Sequence, residues 1–208
     1  MKRTITVSGT GRVTTVPDVA DVRLGVAVTR PTVAEARGVA AETATRILAA
    51  LTGAGVERAD IRSASLVVQP EYDYQDGVQR LRGQSVSHQF AVTVRDLDKL
   101  GRIVDDGLAA GATTLDGVDF RTADPAPAHA EARVAAFRDA RARAEALAAE
   151  ASVTLGRVLA IAEAEPVGIP RPMAFGTTRL MAAEAAPTPV EVGEDEVVVA
   201  VSVVFAIG

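Results

Sequence analysis

His88 and His129 are the two side chains in this sequence whose ordinary pKa lies near neutrality, so any proton-transfer chemistry at neutral pH would start with them. Neither has a second histidine at ligand spacing, and a chain without cysteine cannot complete a thiolate shell around a metal. Paired with a distant carboxylate, either imidazole can still titrate, but no serine stands in a G-x-S-x-G elbow to serve as nucleophile. The runs Glu194-Asp195-Glu196 and Asp105-Asp106 gather carboxylates that suit a hard cation, yet they also read as solvated charge beside a strand and on a helix. Gly9-Thr10-Gly11 has the composition of a phosphate cradle, but strand-like alternation follows it where a helix N-terminus would have to arrive. No catalytic, metal or cofactor-binding residue is assigned, and the chain reads as a non-enzyme with no cofactor.

Tyr72-Asp73-Tyr74 is the other concentration of chemistry. Aromatic residues make up 3% of the chain, and here two of them occupy one face of a strand with the carboxylate opposite. Tyrosines at the tip of a long hairpin suit a packing or interface role through their amphipathic rings. With Arg171, Met173, Phe175 and Met181 they form the candidate interface.

Composition limits the partners. The chain has 208 residues, 48% hydrophobic and 24% charged, the balance of a globular protein. Its 22 basic residues are scattered against 27 acidic ones, so no basic stripe exists to release counterions from nucleic acid. No stretch is long and apolar enough to span a bilayer, since Val197 to Ile207 is about half of the roughly 20 residues required. After Met1-Lys2-Arg3, the segment Thr4-Ile5-Thr6-Val7-Ser8 alternates like a strand where a secretion signal needs a continuous apolar run. The expectation is a cytoplasmic chain as written, or an exported one if a leader has been trimmed.

The elements that must position these residues follow from periodicity. Ile5 and Val7, and then Val22, Leu24, Val26 and Val28, alternate with small or polar residues and predict strands with one buried face. Gly9, Gly11 and Pro17-Asp18 between them predict a bulge or turn. Thr32-Val33-Ala34-Glu35 is a capping box opening an amphipathic helix through Ala36, Ala40, Ala44, Ile47 and Leu51, closed by Gly53 and Gly55. Leu66, Val68, Pro70, Tyr72 and Tyr74, then Asp76-Gly77, then Val86, His88, Phe90, Val92 and Val94 predict a long β-hairpin.

Asp96 is placed to cap a second, shorter helix through Leu97, Leu100, Ile103, Val104 and Leu108, with Gly111 just past its end and a short strand over Leu115 to Phe120. Asp124-Pro125 opens a third helix whose buried stripe is expected along Ala130, Val134, Phe137, Ala140, Ala144, Leu147 and Ala151. A strand around Leu155 to Ile161 precedes a Pro/Ala-rich excursion over 165–196, which holds five of the ten prolines. The closing run Val197, Val199, Val201, Val203, Phe205 and Ile207 is apolar on both faces, which places it inside a sheet and covered on both sides.

In this order several strings resemble the SIMPL-domain family. They are Val7-Ser8-Gly9-Thr10-Gly11 with Pro17-Asp18, Tyr72-Asp73-Tyr74, Val92 to Gly101, Asp139 to Ala148, Leu155-Gly156-Arg157-Val158 and Pro189 to Gly193, spread over residues 4 to 207. The resemblance implies a single α+β SIMPL domain over 1–208: an antiparallel sheet with a long hairpin and three main helices packed on it. It also implies bacterial relatives that include exported immunogenic proteins, some linked to stress resistance and some forming large ring assemblies, and it supplies no catalytic residue. The resulting expectation is a homo-oligomeric assembly protein, with a module that binds another protein or a small ligand as the alternative.

Overall fold

The structure is a computed structural model that describes residues 3–75, 77–164 and 191–208. In chain order the described elements are β1 (Thr4–Thr15), β2 (Val19–Arg30), α1 (Val33–Gly53), β3 (Ile61–Gln75), β4 (Val78–Val94), α2 (Leu100–Ala109), β5 (Thr114–Arg121), α3 (Ala126–Glu150), β6 (Leu155–Ala164) and β7 (Asp195–Ile207). The class is α+β, as the sequence predicts. The strands divide between two antiparallel sheets, ordered β3-β4-β2-β5 and β1-β7-β6, and each belongs to its own compact unit.

The first unit is built on the stretch Pro17–Arg121, to which the described residues Glu191 and Val192 also belong. On one face of its sheet Ala20, Val22, Leu24 and Val26 of β2 lie beside Val86, Phe90, Val92 and Val94 of β4, all buried. Ala36, Ala40, Ala44, Ile47 and Leu51 of α1 and Leu100, Ile103 and Val104 of α2 close over them. Burying side chains the size of Phe90 and Ile47 contributes about 1.5–3 kcal/mol each. The capping box forms as expected: the Glu35 amide donates to Thr32 Oγ1 at 3.3 Å, and the Thr32 amide donates to the Glu35 carboxylate at 3.2 Å. Asp96 behaves differently from its predicted role. It pairs with Lys99 Nζ at 2.6 Å and makes no side-chain cap, because a short 3₁₀ turn over Leu97–Lys99 precedes α2. Leu108 points outward at 42% exposure, and Gly107 takes its place against Leu24.

The second unit comprises residues 3–16, 122–164 and 193–208. β7 is its central strand, paired along its length with β1 and from Ala200 to Ile207 with β6. Val199, Val201, Val203 and Phe205 are buried beneath α3, whereas Val198, Ala200, Ser202 and Val204 on the other face are half-buried. The predicted bulge at Gly9 and Gly11 is absent, since the β1–β7 register runs unbroken from Thr4↔Ala206 to Thr15↔Asp195. The glycines serve helix packing instead. Their missing side chains let the backbone of α3 descend onto β1, and the buried stripe of α3 is Ala132, Ala136, Ala140, Ala144 and Ala148. Of the predicted stripe Ala140 and Ala144 are buried and Phe137 packs half-buried against the same core, whereas Val134 and Leu147 are about half exposed. Small residues win because a larger one would hold the helix away from the sheet.

Asp195 and Glu196 belong to β7, so the strand begins two residues before Val197, and Glu196 pairs with Arg12 at 2.8 Å. Asp124 accepts from the Ala126 amide at 3.0 Å and so caps α3, one residue ahead of Pro125. No helix among the described residues is long and apolar enough to cross a membrane.

Candidate functional site

Pairing of β4 with β2 ends at Arg30↔Gln84, while pairing of β4 with β3 continues to Gln75↔Val78. Among the described residues, 78–83 therefore have β3 as their one strand partner and extend past β2 as a two-stranded ribbon, closed at Gly77 with φ +75°. Side chains alternate between faces, so Leu66, Val68, Pro70, Tyr72 and Tyr74 share one face of β3. Registers Val68↔Val86 and Tyr72↔Leu81 show that this is the face that carries the core farther along the sheet. The core under α1 and α2 takes in β2, β4 and, from β3, Ile61 at its start, and it stops short of the ribbon. Consequently Leu66 is 66% exposed, Val68 50%, Tyr72 46%, Tyr74 75% and Leu81 57%. A face with core composition continues into solvent, on an edge strand whose outer backbone groups have no neighbouring strand among the described residues.

The root of the ribbon is fastened. Glu71 accepts from Arg82 Nη1 at 2.9 Å and from the Thr29 hydroxyl, tying β3 to both β4 and the end of β2. At Gly83 a Cβ would stand 2.7 Å from the Arg30 carbonyl oxygen, so the strands can close here only over glycine. An extra residue in β4, Arg82, re-aims the strand between Glu71↔Gly83 and Tyr72↔Leu81.

The charged clusters elsewhere in this unit act as fastenings. Asp21 accepts from Arg121 Nε and from Thr93 Oγ1, both at 2.7 Å, and the Arg121 guanidinium holds its carboxyl below the usual range. Asp60, whose side chain is 9% exposed, receives two bonds from Arg95 at 2.7 Å each and is lowered for the same reason. Each carboxylate is already satisfied by a guanidinium, which leaves it poorly suited to proton transfer.

His88 accepts or donates at 2.9 Å to Ser63 Oγ, and its ring centroid lies 4.4 Å from that of Phe90 at a 41° tilt. His129 is on α3, in the other unit. The structure thus supplies the His88 imidazole with a local packing role. Among the described residues no group of three His, Asp or Glu side chains is arranged to hold a metal ion.

Of the candidate interface residues, Tyr72 and Tyr74 lie together on the ribbon. Arg171, Met173, Phe175 and Met181 lie outside the described residues. Leu66, Val68 and Leu81 join the tyrosines and were not foreseen as surface. Leu66 and Val68 carry the pattern of buried strand residues, and only the reach of the helices decides that they are not covered. Leu81 offered a signal, as an isolated apolar residue in Gln79-Arg80-Leu81-Arg82.

Comparison with known proteins gives a match over residues 5–205 to a family described as SIMPL, protein of unknown function (DUF541). The 26 kDa periplasmic immunogenic protein of Brucella melitensis is 36% identical over 211 residues, 98% of this chain and 84% of its own length. The uncharacterized protein YggE of Escherichia coli strain K12 is 36% identical over 183 residues, 88% of this chain and 73% of its own. YggE of Edwardsiella ictaluri is 34% identical over 158 residues, 76% of this chain and 66% of its own.

Proposed function

The chain belongs to the SIMPL family, and from that premise we propose that it is a non-enzymatic assembly protein, acting as one SIMPL domain that builds homo-oligomers through the β3–β4 ribbon. The observation that carries this reading is the exposed stripe Leu66, Val68, Tyr72, Tyr74 and Leu81 on an edge strand. Burying a tyrosine removes about 150–250 Å² from water, and an open edge adds main-chain hydrogen bonds to a second copy. The satisfied carboxylates and locally packed His88 favour a structural role over a catalytic one.

The Brucella melitensis relative is named as periplasmic. By that likeness we assign the chain to an exported compartment, in place of the cytoplasm that its first residues suggest, and cell fractionation with an antibody to the protein tests the assignment.

Light scattering on a sizing column at several concentrations tests assembly. The expected result is a closed oligomer that Tyr74→Glu with Leu81→Glu reduces to smaller species, with native circular dichroism because both residues are exposed in the single chain. A mass of 21.5 kDa at every concentration, or an oligomer indifferent to these substitutions, overturns the reading. The monomer outcome would turn attention to the alternative, an adapter that uses the same stripe for another protein.

A further inference from the structure

The helix that the glycines draw onto β1 leaves the far side of the same sheet short of cover. α3 lies over β1 and β7 and barely reaches β6. On β6, Ile161 pairs with Val203 and Glu163 with Val201, so both side chains stand on the face that α3 covers elsewhere. The result is a groove of about 600 Å³ between the flank of α3 and β6, floored by Val134, Phe137, Ile161 and Val201 and rimmed by arginines 133, 138 and 141. Its volume falls within the roughly 300–1,000 Å³ of small-molecule sites, which combine apolar walls with few polar groups. Ile161 is 58% and Val134 49% exposed, so this apolar lining has no cover within the described residues.

The rim fixes the charge of what would lie there. Arg133 is neutralised by Glu163 at 3.0 Å and Arg141 by Glu145 at 2.9 Å. Arg138 has no carboxylate partner among the described residues, so the groove carries one uncompensated positive charge at the edge of an apolar floor. A chain of net charge −5 with a single free guanidinium at this place is poorly matched to a polyanionic membrane surface, which recruits clusters of basic residues. One charge beside one apolar slot matches a single molecule with the opposite pair of properties.

We propose that this groove binds a single-chain anionic amphiphile, with its acyl chain along Val134, Phe137, Ile161 and Val201 and its headgroup on Arg138.

Dodecanoate, kept below its micelle concentration and titrated into the full chain by calorimetry, is the probe. Saturable one-to-one binding is expected, with dodecyltrimethylammonium bound far more weakly. Arg138→Glu should weaken dodecanoate about tenfold, the ordinary value of a hydrogen bond to a charged group. Val134→Asp with Ile161→Asp should abolish binding while circular dichroism stays native, since both positions face solvent. Tyr74→Glu with Leu81→Glu should leave the affinity unchanged, which separates this site from the ribbon. Absence of saturable heat, equal binding of the cationic detergent, or variants that keep wild-type affinity would overturn the proposal. So would a fall in native mass caused by the groove variants alone, which would assign the groove to a second copy.

Discussion

A Cβ added to Gly9 of β1 would stand 2.1 Å from the carbonyl oxygen of Ala136 in α3, and one added to Gly11 would stand 1.9 Å from that of Ala132. Strand and helix backbones are therefore in direct contact, with neither side chain between them. The Thr10 amide between the two glycines donates to Asp139 Oδ2 at 2.8 Å, so the same close approach lets a helix carboxylate satisfy a donor on an edge strand.

Gly9→Ala is expected to destabilise the protein by about 3 kcal/mol or more, because the obstacle is main chain and cannot rotate away. Gly38→Ala supplies the contrast. Gly38 lies within α1 with nothing within 4 Å of its added Cβ, so that change should stabilise by about 0.5–1 kcal/mol through helix propensity. Urea denaturation of the two variants measures both signs, and equal effects would refute the packing argument.

Acidification should destabilise the fold. Asp21, Asp60 and Asp139 are each held below the ordinary value of 3.8, the first two by guanidinium partners and the third chiefly by the Thr10 amide. A carboxyl with a depressed folded pKa binds fewer protons than it would in the unfolded chain. Its contribution is present above the unfolded value and is lost as pH falls through the folded one. The thermal midpoint should thus hold steady above about pH 5 and drop below about pH 4. Arg95→Gln with Arg121→Gln should flatten that drop; a midpoint rising toward acid would contradict the assignment.

Thr32→Ala removes an acceptor for the Glu35 amide at the start of α1 and should cost about 1 kcal/mol. Thr32→Asp should restore most of the loss, and chemical denaturation distinguishes the two variants. A Thr32→Ala protein of wild-type stability would mean that water replaces the cap without penalty.

Amide hydrogen exchange should divide β4 in two. Among the described residues, 78–83 have one strand partner and 84–92 have two, so the former should exchange faster in the dissociated protein. If the ribbon is the assembly surface, protection of Val78 to Arg82 should rise with protein concentration, and protection independent of concentration would argue against it.

The elements were legible wherever one face of the chain had to be buried. Alternation marked β2, the hairpin and β7, and the Thr32–Glu35 spacing marked the start of α1 to the residue. The failures lie where burial is decided by something not written locally. In α3, Val134 and Leu147 look like core residues and Ala132 and Ala148 like filler, yet the helix turns its alanines inward because Gly9 and Gly11, more than a hundred residues earlier, leave room for the backbone alone. Sequence pattern likewise placed Tyr72 and Tyr74 on one face, but it could not show that Leu66 and Val68 extend that face into solvent, since the reach of α1 sets the limit. The groove beside α3 was invisible for both reasons at once.

The pairing Thr4↔Ala206 also sets a timetable. Strand β1 leaves the ribosome well before its partner β7, so its hydrogen-bonding edge must wait for some 180 residues of synthesis, roughly 10–40 s at ordinary elongation rates. The stretch Pro17–Arg121 holds both faces of its own core and can close while the remainder is still being made. Nascent chains of this protein accordingly spend their youth as a finished middle with an unmated first strand, and a helper that shields β1 during that interval would protect the yield without stabilising the final product.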